Sequence, residues 1–206
     1  MSPSPPPPSP DNTSALLLAG GRSRRMGSNK ALLAWGNVRL VDHLLGLLQS
    51  QCRQVLVSTN TVIDALPATV PQLSDTITDA GPLGGVLTGL EWLQQYSTDE
   101  WLLSCAVDTP GIPADLLASL IRAWESGSGV VVPVYQQRLH PTCSLWHRSV
   151  ASQLRRYLED GERRMLRFLD STSHSLAAFD DRDGDPFINL NTPEELAGQQ
   201  SQPHRP

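Results

Sequence analysis

Three cysteines in 206 residues, Cys52, Cys105 and Cys143, are too few and too scattered for a disulfide framework. None stands in a C-x-x-C pair or near a histidine at zinc-ligand spacing, so they read as reduced and mostly buried. The five histidines form neither H-x-H nor H-E-x-x-H, which leaves a hard ion held by oxygen as the expected metal, and Mg²⁺ fits. No apolar run approaches the ~20 residues of a membrane span, and the N-terminus lacks the apolar core of a signal peptide. A cytoplasmic chain with no membrane partner is expected. Sixteen Lys and Arg against 21 Asp and Glu give a net charge of −5. The cations are scattered, which argues against a nucleic-acid partner.

What is present fits one ordinary domain: 39% of residues are hydrophobic and 18% charged. Ser2–Pro10 (SPSPPPPSP) reads as part of a disordered Pro-rich tail over residues 1–12, and residues 199–206 as a frayed end. The domain then spans 13–198. Within it, short Leu- and Val-rich runs alternate with helical periodicity, the pattern of a mostly parallel sheet flanked by helices. Strands are expected at Ser14–Ala19, Val55–Ser58, Trp101–Val107, Val130–Val134, Leu139–Trp146, Leu176–Phe179 and Phe187–Asn191. Helices are expected near Val38–Gln51, after Gly85, after Pro113, near Val150–Leu158 and Arg163–Leu169, and from Pro193. No internal repeat is visible.

Leu18–Lys30 carries the clearest chemistry. An apolar strand turns on Gly20-Gly21 at its carboxyl end, where open α/β sheets bind ligands. Arg22, Arg24, Arg25 and Lys30 follow, and the glycines let backbone N–H groups approach an oxyanion. Four cations on one loop repel each other unless an anion neutralises them. The spacing is neither G-x-G-x-x-G nor the Walker A pattern. A polyphosphate cradle is expected.

Asp108 ends an apolar strand over the same sheet edge, where it could give Mg²⁺ one oxygen or simply cap a helix before Pro110. Asp79 precedes Gly81-Pro82-Leu83-Gly84-Gly85 and reads either as a nucleoside contact beside glycines that let the backbone pass a flat ring, or as a turn aspartate. Asn60 ends the second strand with an amide able to read nucleoside edges. Asn189 and Asn191, two apart, share a face and are acceptor or outer-shell metal candidates, or plain turn residues.

In this order the motifs resemble the molybdenum cofactor guanylyltransferase family, a MobA-like nucleotidyltransferase group, across nearly the whole core. LAGGRSRRMG with Lys30, VSTN, DAGPLGG and CAVDTP match its nucleotide half. HPTCSLWHR, GERRMLRFL and NLNTPEEL are similar to its acceptor half. Paired glycines after the alanine favour the guanylyl enzyme over cytidylyl relatives with LAAG. Asn29 departs from the family's usual aspartate.

The resemblance implies a single α/β domain with a Rossmann-like, GT-A-like sheet. It implies GTP and Mg²⁺ as ligands, GMP transfer to the phosphate of molybdenum-bearing molybdopterin, and release of pyrophosphate. Arg25, Lys30 and Asp108 are the expected catalytic residues. Leu18, Ala19, Gly20, Gly21, Lys30, Asn60, Asp79 and Asp108 are expected around GTP, with Asp108 on the metal. Transient contacts with cofactor-donating or cofactor-accepting proteins are expected too. A cytidylyl- or sugar-nucleotidyltransferase and a non-catalytic nucleotide-binding module are the alternatives.

Overall fold

The computed structural model describes residues 5–20, 30–180, 184–190 and 195. Strand β1 (Thr13–Leu18) is buried along its whole length, as a continuous apolar run covered on both faces must be. A small antiparallel hairpin follows, β2 (Ala34–Trp35) with β3 (Val38–Arg39), turning at Gly36 with φ +60°. Val38 and Arg39 therefore belong to the hairpin, and helix α1 (Leu40–Gln49) starts two residues later than its periodicity predicts. It buries Leu40, Val41, Leu44, Leu45 and Leu48.

Next come β4 (Gln54–Ser58), the two-residue β5 (Gln72–Leu73), helix α2 (Pro82–Tyr96), β6 (Trp101–Ala106) and helix α3 (Leu116–Ala123). Strand β7 (Val130–Tyr135) folds back onto β8 (Arg138–Leu139) through Gln136 and Gln137, both at positive φ, as a two-residue hairpin turn requires. The predicted strand Leu139–Trp146 is not one strand. Pro141 opens a 3-10 turn, Pro141–Cys143, and only β9 (Leu145–His147) beyond it joins the sheet. Helices α4 (Ala151–Glu159) and α5 (Met165–Asp170) precede β10 (His174–Phe179), which begins two residues before the expected Leu176.

The predicted strand at Phe187–Asn191 is also corrected. Phe187–Leu190 makes no strand, although Phe187 and Leu190 are buried, and Asn191 lies outside the described residues. Their apolar spacing reflects anchoring into the core rather than a ladder. The helix expected from Pro193 and the end expected at 199–206 likewise lie outside the described residues.

The sheet runs β10-β7-β9-β6-β1-β4-β5, with β8 on β7. All pairs are parallel except those made by β8 and β9. From β1 the chain crosses to β4 on one side and, through α2, to β6 on the other. The order reverses at β1, so its carboxyl end is the switch point at which such sheets bind ligands. Side chains alternate across the sheet: Ala15 and Leu17 pack with α1 and α3, Leu16 and Leu18 with α2 and α4.

Residues 5–12, read from composition as disordered tail, instead pack on the domain. Pro8 is buried, Pro10–Asn12 forms a 3-10 turn, and the Trp101 indole N–H donates to the Pro6 carbonyl at 3.0 Å. Trp101 is fully buried and its indole needs an acceptor, which this segment supplies.

Candidate active site

The three central strands end side by side. Ala19 N–H donates to the Ser58 carbonyl at 2.9 Å and Val107 N–H to that of Leu18 at 3.1 Å, carrying the ladder one step past β1. Gly20 then leaves the sheet against the backbone of Thr59, with the Asn60 amide nearby. Asn60 and Asp108 follow strands on either side of β1, two strand spacings or roughly 10 Å apart. Leu18, Ala19, Gly20, Asn60 and Asp108 are thus gathered on one rim. Gly21, Arg22 and Arg25 lie outside the described residues.

Lys30 returns the chain to this rim. Its Nζ is 3.8 Å from Asp108 Oδ2, and the residue is only 8% exposed. Burial lowers the lysine pKa, while the carboxylates of Asp108 and Glu195 oppose the shift. A surface lysine would be neither buried nor aimed at a strand-end carboxylate. Asp108 keeps about a third of its side chain exposed. Its Oδ1 has a long contact of 3.5 Å with the Thr109 hydroxyl, which donates at 3.0 Å to Asn189 Oδ1. The Leu190 N–H donates to the Asp108 carbonyl at 2.8 Å, strapping the Asn189 segment over the end of β6.

The Asn60 amide is held by a second loop. Its Nδ2 donates to Asp75 Oδ2 at 3.0 Å and its Oδ1 accepts from Asp75 N–H at 2.9 Å. Ser58 Oγ donates to the other carboxylate oxygen at 3.3 Å. Asn60 therefore clamps Asp75, a carboxylate missed in the sequence because the two-residue β5 before it leaves almost no hydrophobic signal. Asp75 packs against the first turn of α2 at Gly84, where the helix terminus favours negative charge.

Asp79 lies on the loop entering α2, exposed and at φ +53°, and Gly81 follows at φ +61°. The glycines after it have a packing role. A Cβ on Gly85 would stand 2.6 Å from Ser58 Oγ and 2.7 Å from Leu18 Cδ2, so its absence lets α2 lie close on β1 and β4. Their service to a flat ring, expected from sequence, is not needed to explain them.

Across β9 lies a second feature, a cleft of about 460 Å³ lined by Tyr135, Arg138, His140, Asp185, Phe187 and Asn189. The His140 ring stacks on Phe187 with centroids 4.5 Å apart, and its Nε2 is buried without a hydrogen-bond partner among the described residues. Burial lowers the His140 pKa against the opposing pull of Asp185. Asn189 joins this cleft to Asp108 through Thr109. Cys52, Cys105 and Cys143 are all buried free thiols, and burial pushes Cys52 up to about 12.

Among the described residues no group of three or more His, Cys, Asp or Glu is placed to hold a metal by itself. Asp108 suits a different arrangement, one hard protein oxygen with the remaining positions filled by water and ligand oxygens. No helix among the described residues is long and apolar enough to cross a membrane.

A mostly parallel α/β sheet whose switch point presents Gly20, a buried lysine and a strand-end aspartate defines a nucleotide-handling domain. The family model described as the MobA-like NTP transferase domain matches residues 15–175. Molybdenum cofactor guanylyltransferase of Cereibacter sphaeroides is 38% identical over 189 residues, covering 90% of this chain and 94% of that protein. The protein of the same name from Mesorhizobium japonicum is 35% identical over 192 residues, covering 89% and 92%. The chain belongs to the MobA-like nucleotidyltransferase family of molybdenum cofactor guanylyltransferases.

The fold agrees. Molybdopterin-guanine dinucleotide biosynthesis protein A from Archaeoglobus fulgidus superposes with a TM-score of 0.70 at 19% identity, covering 91% of this chain and 96% of that one. A 2-C-methyl-D-erythritol 4-phosphate cytidylyltransferase from Thermus thermophilus gives 0.65 at 16%, covering 90% and 96%.

Proposed function

We propose that this chain transfers GMP from GTP to the phosphate of molybdenum-bearing molybdopterin and releases pyrophosphate, working in the cytoplasm with Mg²⁺. The observation that carries the reading is the convergence of buried Lys30 and Asp108 beyond the end of β1.

The acceptor phosphate has a second pKa near ~6 and is already anionic at neutral pH, so its oxygen needs no general base. It attacks the α-phosphorus of GTP, and the bond to the pyrophosphate oxygen breaks. The obstacle is repulsion between anions. Lys30, buried beside the rim, would offset it, and Arg22 and Arg25, a few residues earlier in the sequence, would add charge of the same sign. Asp108 would hold Mg²⁺, which supplies charge neutralisation on the transferring phosphates. Gly20 and Gly21 would present backbone N–H groups to the triphosphate.

Asp75, fixed by Asn60 and Ser58, has carboxylate oxygens suited to the paired N–H donors on one edge of guanine; cytosine has only its amino group to donate. The stacked walls of the His140 cleft suit a flat pterin, with Asn189 leading from it to Asp108 and Asn191 two residues further along the chain. Contacts with proteins that deliver or receive the cofactor would be transient and would form around this face.

The test is to supply each labelled nucleoside triphosphate with molybdenum-bearing molybdopterin and Mg²⁺ and to follow pyrophosphate. GTP should be consumed in preference to CTP, and Asp108→Asn should lose at least about 100-fold in turnover while keeping its far-UV spectrum and unfolding midpoint. Preference for CTP, or near-normal transfer by Asp108→Asn, overturns the assignment.

A further inference from the structure

The turn that ends α4 reaches across to the other half of the site. Helix α4 stops at Asp160, and Gly161 reverses the chain at φ +84°. Arg163 then folds back over the helix end. Its Nη1 donates to the carbonyls of Leu158 at 2.6 Å and Glu162 at 2.7 Å, and its Nε donates to the backbone carbonyl of Asp79 at 3.2 Å. The turn itself is braced, because Tyr157 donates to the Arg164 carbonyl at 2.9 Å and Arg167 pairs with Glu162. The guanidinium is therefore held through Nη1 by its own turn, which leaves its Nε–H to grip the loop before α2.

That loop needs holding. Asp79 is a non-glycine residue in the left-handed region, and Gly81 two positions later has φ +61° and ψ −153°, a combination open essentially only to glycine. Such conformations persist when their surroundings determine them. The earlier part of the loop is fastened from within its own half: Asn60 and Ser58 grip Asp75, and Thr88 Oγ accepts from Thr76 N–H at 3.2 Å. Asp79 is gripped from outside. The Arg155–Glu91 ion pair between α4 and α2 also bears on the loop, because Glu91 accepts from the Thr76 hydroxyl at 3.4 Å. At the far end of α2 a separate link, from Gln94 Nε2 to the Arg148 carbonyl at 3.0 Å, ties that helix to the 3-10 turn before α4.

We infer that Arg163 is a positioning residue for nucleotide binding: it fixes the Asp75–Gly81 loop in the shape that receives the base, acting through the Asp79 carbonyl. The segment Gly161–Leu169, which by resemblance belongs with the acceptor half, thus also serves the nucleotide half. The inference rests on the proposed nucleotide site but not on which base occupies it.

Arg163→Ala and Arg163→Lys in the full chain test it, with Gln94→Ala as the control that loosens α2 from the turn before α4 without touching the loop. Equilibrium binding of GTP and of CTP with Mg²⁺, thermal unfolding, and KM and kcat for transfer are measured on each. Arg163→Ala should weaken the better-bound nucleotide about tenfold and raise its KM alike, with kcat within about twofold. Lysine, which cannot span three carbonyls at once, should recover only part of that loss. Gln94→Ala should lower the melting temperature comparably yet leave nucleotide affinity unchanged. Unaltered affinity in Arg163→Ala, or equal losses in Arg163→Ala and Gln94→Ala, overturns the inference. A wild-type preference for CTP would overturn the guanylyl reading alone, because Arg163→Ala must weaken CTP binding in that case.

Discussion

Asp75 and Asp79 are four residues apart and chemically alike, yet they stand in different physical situations. Asp75 has its carboxylate oriented by two donors and packed against the start of a helix. Asp79 offers its backbone carbonyl to Arg163, and its side chain belongs to an exposed position. Orientation before binding is what converts a carboxylate into a recognition group. Asp75→Asn should therefore weaken GTP binding by about tenfold or more, and Asp79→Asn by much less; titration of both variants by calorimetry decides, and the reverse order would return the base contact to Asp79. The sequence marked Asp79 because it borders conspicuous glycines. Asp75 is harder to see there, because the two-residue β5 before it leaves little hydrophobic signal and its orienting partners, Ser58 and Asn60, come from the end of another strand.

His147 shows the same dependence on distant neighbours. Its side chain is 8% exposed, its Nε2 lies 3.3 Å from Glu100, and its Nδ1 accepts from Ser149 at the start of the 3-10 turn before α4. Burial lowers its pKa from 6.5, with Glu100 partly opposing. The folded state then binds a proton less readily than the unfolded chain, so the His147 contribution is complete above pH 6.5 and is lost as the pH falls through the lowered folded value. Urea midpoints should decline between pH 7.5 and 5.5. His147→Gln should flatten that slope, and an unchanged slope would assign the decline to other groups.

At the scale of elements, what could be read in advance follows from how each element is buried. Strands β1, β4 and β6 announced themselves because both faces are covered and their apolar runs are unbroken. The error over Leu139–Trp146 arose because Pro141–Cys143 presents an alternation that a 3-10 turn satisfies equally well. Val38 was given to the helix because helical spacing cannot register a hairpin only two residues long on each side. Helix α2 carries a testable demand of its own. Gly85→Ala would press a methyl group into Ser58 and Leu18, and overpacking of this kind costs about 1–3 kcal/mol. Chemical denaturation should show that loss, together with weaker nucleotide binding, because Ser58 also steadies Asp75.

For the whole molecule, the order of strands decides the position of the site before any side chain is considered; the alternation of strands and helices is enough to read a mostly parallel sheet, while the order itself depends on pairings between distant segments. The N-terminal segment was misjudged because proline-rich composition reports the absence of helix and sheet, not the absence of packing. Removing residues 1–9 would strip the acceptor from the Trp101 indole and uncover the ring. The truncated chain should unfold about 1–3 kcal/mol more easily and show red-shifted tryptophan emission. Unchanged stability would mean the segment lies on the domain without supporting it.

Strand β9 has only three residues. It meets β6 over three residue pairs and β7 over two, whereas β1 meets β6 over six. The sheet is therefore two broad panels sewn along a narrow seam, one panel carrying Gly20, Lys30, Asn60 and Asp108, the other the His140 cleft. Cooperativity in unfolding is limited by the weakest junction between well-packed parts. Hydrogen exchange should accordingly divide the protein along β9, the amides of β1, β4 and β6 opening as one unit and those of β7 and β10 as another.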